Sequence, residues 1–173
     1  MNSQNKIFLP GKNFNQLMFK NDFNNKKVLI TGHTGFKGSW LTLWLKIIGA
    51  EITGLSKDIP TNPSLFESLG LGEKINHYIG DVRNYSQLKE LLLKVKPDFI
   101  FHLAAQPLVK ESYINPTETM LTNIIGVNNI LDILRDYRKK CSLVIITSDK
   151  CYDNLELKRG YHENDILGGK DPY

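Results

Sequence analysis

Three glycines at three-residue intervals, Gly32, Gly35 and Gly38, stand between an apolar, β-branched run and a strongly apolar segment. The run is KKVLIT (26–31), and the segment, SWLTLWLKII (39–48), stops at Gly49. A strand that breaks into a glycine-spaced turn and opens directly into a helix predicts a tight βα turn, its backbone close to whatever lies above it. Gly32 is expected to make the turn, Gly35 to let the main chain approach an anion such as a pyrophosphate, and Gly38 to let helix and strand pack closely. Thr34 and Phe36 lie between them on the same loop. The unpaired N–H groups at the start of the helix face the anion. The spacing is G-x-x-G-x-x-G rather than G-x-G-x-x-G. It is not a P-loop either, because Lys37 follows Phe36 where that motif requires a glycine.

The rest of the chain repeats the strand–helix alternation. AEITGLS (50–56) reads as a second strand and HYIGDV (77–82) as a third, followed by the amphipathic NYSQLKELLLKVK (84–96), which Pro97 closes. DFIFHLA (98–104) is a fourth strand. A helix then opens at Asn115-Pro116, with Asn115 as N-cap, Pro116 at the first helical position and Glu118 able to complete a capping box. It runs through TMLTNIIGVNNILDILRDY, and the fifth strand is SLVIITS (142–148). Apolar strands alternating with helices predict a doubly wound α/β parallel sheet covered on both faces. Residues 1–25 are Asn-rich and are expected to form an irregular extension, and residues 26–173 a single domain without repeats. A complete dinucleotide-binding sheet has six strands. Five are legible here, so this reading expects an incomplete dinucleotide-binding domain that lacks a substrate lobe.

Composition excludes several functions. Lys and Arg number 22 against 18 Asp and Glu, a net charge of +4. That excess is too slight for a nucleic-acid-binding stripe, and the run Arg138-Lys139-Lys140 is expected to serve the C-terminal dipole of the helix before it. Cys141 and Cys151 form no CxxC pair, and His33, His77, His102 and His162 show no ligand spacing, so no metal is expected. No apolar run approaches the roughly 18–20 residues that span a bilayer. With no signal-peptide pattern at the N-terminus, the expectation is a cytoplasmic protein without membrane or nucleic-acid partners.

An acidic residue about 20 positions beyond the glycines holds the adenosine ribose in such folds. Asp58 stands at that distance from Gly38, just past the strand end at Ser56. No arginine stands nearby, which favours NAD, while Lys57 keeps NADP open.

These features together resemble a known family. TGxxGxxG, GDVRN (80–84), FHLAAQ (101–106), Asn123 within the long helix and TSDK (147–150) are similar to the extended short-chain dehydrogenase/reductases. The longer strings ITGHTGFKGSWLTLWL, PTNPSLFE, FHLAAQPLV, ITSDKCYDN and GGKDPY narrow the resemblance to the NAD-dependent nucleotide-sugar 4,6-dehydratases that act on CDP-glucose. The resemblance implies a Rossmann-type NAD-binding domain, with Gly32, Gly35 and Gly38 on the pyrophosphate and Asp81 and Val82 on the adenine. Leu103, Ala104 and Ala105 would lie along the cofactor, with Asn123 also in the site. It implies a homo-oligomer for the full-length enzyme.

It also implies a catalytic set of Ser148, Asp149, Lys150 and Tyr173. Tyr173 would take the proton of the sugar C4 hydroxyl, Ser148 would hold the substrate oxygen, and Asp149 would protonate the departing C6 hydroxyl if burial raised its pKa. Lys150 stands where many such dehydratases carry a glutamate, and would serve either as a neutral base or as a cation beside the enolate. The lysine of the family's Tyr-x-x-x-Lys pattern would fall four residues past Tyr173, so this chain by itself is expected to be inactive. Two other readings stay open: a sugar epimerase of the same superfamily, against which Lys150 argues, and a non-catalytic dinucleotide-binding module.

Overall fold

The computed structural model describes residues 19–173. Its frame is a five-stranded parallel sheet in the order β3-β2-β1-β4-β5, formed by β1 (Lys27–Thr31), β2 (Glu51–Ser56), β3 (Asn76–Ile79), β4 (Phe99–His102) and β5 (Ser142–Ile145). The chain winds outward from β1 to β3, then returns to β1's other edge and winds outward again. Thr31, the last residue of β1, pairs with Leu55 on one side and His102 on the other. The crevice at this switch point opens at the carboxyl ends of β1 and β4, where ligands bind in doubly wound sheets.

Alternation along the strands builds two cores. Leu29, Leu55 and Ile100 face one side with Val82, Leu88, Leu91, Leu92, Ile130 and Ile133. These helical residues come from α4 (Tyr85–Val95) and α7 (Gly126–Arg135), apart from Val82 in the loop before α4. Val28, Ile30 and Ile52 face the other side with Leu45 and Ile48, packing beneath α2 (Phe36–Ile47). The period of two in the strands therefore becomes a covering of both sheet faces, as expected of a doubly wound fold.

Several boundaries differ from the expectation. Within the anticipated irregular extension, residues 1–18 lie outside the described residues, but α1 (Lys20–Phe23) is helical. Phe23 packs against Phe99 with ring centroids 4.7 Å apart, so apolar burial orders this segment. The first long helix begins at Phe36, three residues early, because Gly35 caps it without a side chain. The third strand ends at Ile79, and Val82 is buried in the core. Short helices α3 (Leu65–Ser68) and α5 (Val109–Ile114) had no counterpart in the sequence pattern.

The long helix is also not uniform. α6 (Pro116–Met120) passes through a π-helical turn, Leu121–Ile125, into α7, which stops at Arg135. Asn115 caps α6, accepting from the Glu118 amide at 3.4 Å. The capping box is only half formed, because the Glu118 carboxylate bonds Arg83 and Lys57 instead. The basic run lies beyond the helix. Lys139 donates to the Lys96 carbonyl at the end of α4 (2.6 Å) and pairs with Asp98 (2.8 Å), so it serves a different helix from the one expected. The cover on both faces stops short of β5, an edge strand with Val144 42% exposed and no α-helix after it among the described residues.

Candidate functional site

The glycine loop leaves β1 beside β4, and its three glycines have three different reasons for lacking a side chain. Gly32 has φ +73°, and a Cβ there would meet the backbone of Leu103 and Ala104 at 2.7 Å. At Gly38 a Cβ would overlap Gly32 and approach His33 Cα to 2.7 Å. Both positions are therefore demanded by the chain's own packing. Gly35 is not: its φ is −69°, and a Cβ there would make only an ordinary 3.4 Å contact with the Gly32 carbonyl. It caps the twelve-residue α2, whose first turn has neither a side-chain cap nor an acidic residue. An uncapped helix start at a switch point, with clearance at its cap residue, suits an anion.

Neighbouring elements hold the loop. Thr34 donates its hydroxyl to the Asp58 carbonyl at 2.7 Å and its amide to Ser56 Oγ at 3.4 Å. Asp58 is thereby fixed beside the loop, and its own side chain is exposed. Phe36 is 71% exposed at the mouth of the turn. Leu103 and Ala104 donate their amides to Thr31, to its carbonyl at 3.0 Å and its hydroxyl at 3.2 Å, and Ala105 beyond them is exposed.

Asn123 lies in the π-helical turn and clasps the backbone of Gln106. Its Oδ1 accepts from the Gln106 amide at 2.8 Å and its Nδ2 donates to the Gln106 carbonyl at 3.2 Å. Such turns commonly mark functional positions, and this one fixes the loop after β4. Asp81 is gripped by the Arg83 guanidinium through both carboxylate oxygens, which holds its carboxyl below the usual range. Val82 turns its side chain into the core and gives its carbonyl to Asn129 at 3.0 Å.

Ser148, Asp149 and Lys150 follow β5 as a short 3₁₀ turn, with Ser148 Oγ accepting from the Lys150 amide at 3.1 Å. The C-terminal segment returns antiparallel to this turn, with Tyr152 bridged to Leu167 and Gly168 donating to Cys151. The segment carrying Tyr173 therefore runs back past Lys150. One expectation is corrected here. Asp149 is exposed rather than buried, and the Lys150 ammonium at 3.1 Å lowers its pKa instead of burial raising it.

A histidine pair with one buried member has no counterpart among the expected site residues. His33, inside the glycine loop and fully buried, shares a 2.7 Å hydrogen bond with His77 and a 2.9 Å bond with Ser56 Oγ. Burial, and then His77, push its imidazole down to about 4. A bulky residue between two glycines was the available sequence signal, but its partner lies 44 positions away.

The sequence matches the GDP-mannose 4,6 dehydratase family over residues 29–173. It is 48% identical to CDP-glucose 4,6-dehydratase of Salmonella typhimurium, covering 89% of this chain and 43% of that one. The fold is similar to the epimerase Mth375 of Methanothermobacter thermautotrophicus, with TM-score 0.77 and 28% identity, covering 92% of this chain and 47% of that one. It is also similar to the UDP-glucose 4-epimerase of Thermus thermophilus solved with NAD, with TM-score 0.73 and 25% identity over 84% and 45% of the two chains. The chain thus spans less than half the length of these relatives. With its switch-point crevice and glycine loop inside the matched region, the chain belongs to the GDP-mannose 4,6-dehydratase family.

Proposed function

We propose that this chain forms the NAD-binding portion of a nucleotide-sugar 4,6-dehydratase acting on CDP-glucose. Gly35 carries the coenzyme reading: it is the one loop glycine of the three that the chain's own packing does not require. The α2 N-terminus would take the pyrophosphate, the Asp58 loop the adenosine ribose, and Leu103 to Ala105 would line the coenzyme. When bound, NAD would supply a hydride acceptor for the sugar C4 and a donor for C6. CDP-glucose is supported by the 48% identity to the Salmonella enzyme.

The remaining steps fall to the chain's side chains. Tyr173 removes the proton of the C4 hydroxyl, with Ser148 holding the same oxygen. The C4 carbonyl then acidifies the C5 proton, which the Asp149 carboxylate takes up and passes to the departing C6 hydroxyl, so that water leaves. Substrate that separates Asp149 from Lys150 and desolvates it raises the proton affinity this transfer needs, since a solvated, paired carboxyl stays ionised. We assign Lys150 to the enolate, as a cation, because its ammonium already donates to a carboxylate 3.1 Å away.

Calorimetry with NAD tests the coenzyme site. Gly35→Val should abolish binding while the chain stays folded, and equal affinity in parent and variant would overturn the assignment. Turnover of CDP-glucose by a protein carrying this chain tests the reaction: a 4-keto-6-deoxy product supports dehydration, whereas an epimer of the substrate supports the epimerase reading favoured by the structural neighbours.

A further inference from the structure

Two cations stand at the adenosine end of the crevice. Lys57 is the first residue after β2, and Arg83 follows β3 by four positions. The two strand ends are tied together, since the Gly80 amide donates to the Ser56 carbonyl at 2.9 Å. Neither cation is idle. Glu118 reaches over from α6 with one carboxylate oxygen on Lys57 at 3.4 Å and the other on Arg83. Arg83 is held as well by both oxygens of Asp81. Each cation thus already holds a carboxylate partner, and Asp58 follows Lys57 on the loop that Thr34 fixes.

We propose that Glu118 selects NAD over NADP by occupying the cations that a 2′-phosphate would need. This rests on the coenzyme reading above. NADP differs from NAD by a phosphate on the adenosine ribose, at the end of the second strand, where Lys57 stands. That group carries about −1.5 to −2 charge at neutral pH. It would find each cation already holding a carboxylate partner that it must displace, whereas the 2′-hydroxyl of NAD adds no charge. Selectivity then arises from repulsion and from withheld partners as much as from attraction. The Glu118 side chain is not itself the α6 cap, which Asn115 makes to the Glu118 backbone, so the carboxylate can be altered without removing the cap.

The test is calorimetric affinity for NAD and NADP in the parent chain, Glu118→Gln and Glu118→Asp. Glu118→Gln should raise the NADP-to-NAD affinity ratio about tenfold, in keeping with release of partly exposed ion pairs. The gain should shrink as salt screens it, and Glu118→Asp, which keeps the charge, should stay near the parent ratio. A residue that merely supported the fold would weaken both coenzymes together and leave the ratio alone. An unchanged ratio in Glu118→Gln, or the same ratio in Glu118→Asp as in Glu118→Gln, overturns the proposal alone. Failure of the parent to bind either coenzyme overturns the coenzyme reading, and the proposal with it.

Discussion

Lowering the pH from 7 to 5 should cost the fold about 4 kcal/mol through two buried imidazoles. His33 is fully buried and His102 is 2% exposed, and burial pushes each from 6.5 to about 4. The unfolded chain therefore takes up protons near pH 6.5 that the folded chain refuses. A depressed folded pKa gives stability that is complete above 6.5, falls as pH drops toward 4, and levels off below that value. At pH 5 an unfolded imidazole is almost fully protonated and a folded one about one-tenth so, a difference of about 2 kcal/mol per histidine at 1.36 kcal/mol per unit. Two such groups remove a large share of the roughly 5–15 kcal/mol that holds a domain together. His77, also lowered by burial but partly exposed, acts in the same direction. Urea denaturation at pH 7, 6 and 5 and fixed ionic strength measures this as a falling midpoint at constant slope. His102→Asn removes one titrating group while keeping an amide able to bond Thr31 Oγ1, now 2.7 Å from the ring; the pH dependence should drop by about half. A midpoint that stays level from pH 7 to 5, or a variant as pH-sensitive as its parent, would refute the reasoning.

Gly32→Ala should destabilise the fold by about 2–5 kcal/mol in chemical denaturation, because it combines a left-handed φ with a backbone clash against the loop after β4. Leu92→Ala, at a fully buried core position, should cost about 2–5 kcal/mol by the same measurement. Ser64→Ala removes the hydroxyl that accepts from the Glu67 amide at 3.1 Å and donates to its carboxylate at 2.7 Å; about 1 kcal/mol should be lost, read as a lower melting temperature. Asn123→Ala releases both bonds to the Gln106 backbone, so hydrogen exchange at the Gln106 amide should accelerate about tenfold, and an unchanged rate would show that the clasp does not hold this loop.

What the sequence determined by itself is whatever depends on near neighbours along the chain. Gly32, Gly35 and Gly38 announce a tight turn into a helix because backbone freedom is a property of each residue. The short apolar, β-branched runs KVLIT and ITGLS assign strands, because successive side chains point to opposite faces and a run apolar at both suits a sheet covered on both. Asn115-Pro116 starts a helix and Gly49 ends one, since a cap reaches only three or four residues. Tertiary structure decided the pairings across the sheet. Glu118 could have closed its own capping box, yet it bonds Arg83, 35 positions away, because the path that leaves β4 carries α6 above the ends of β2 and β3. His33 finds His77 only because β3 lies beside β2. The π-helical turn that brings Asn123 to Gln106 is likewise silent in a pattern that reads as continuous helix. Local rules state which groups can bond, and among several partners of similar energy it is the burial and proximity created by the packed sheet that choose one.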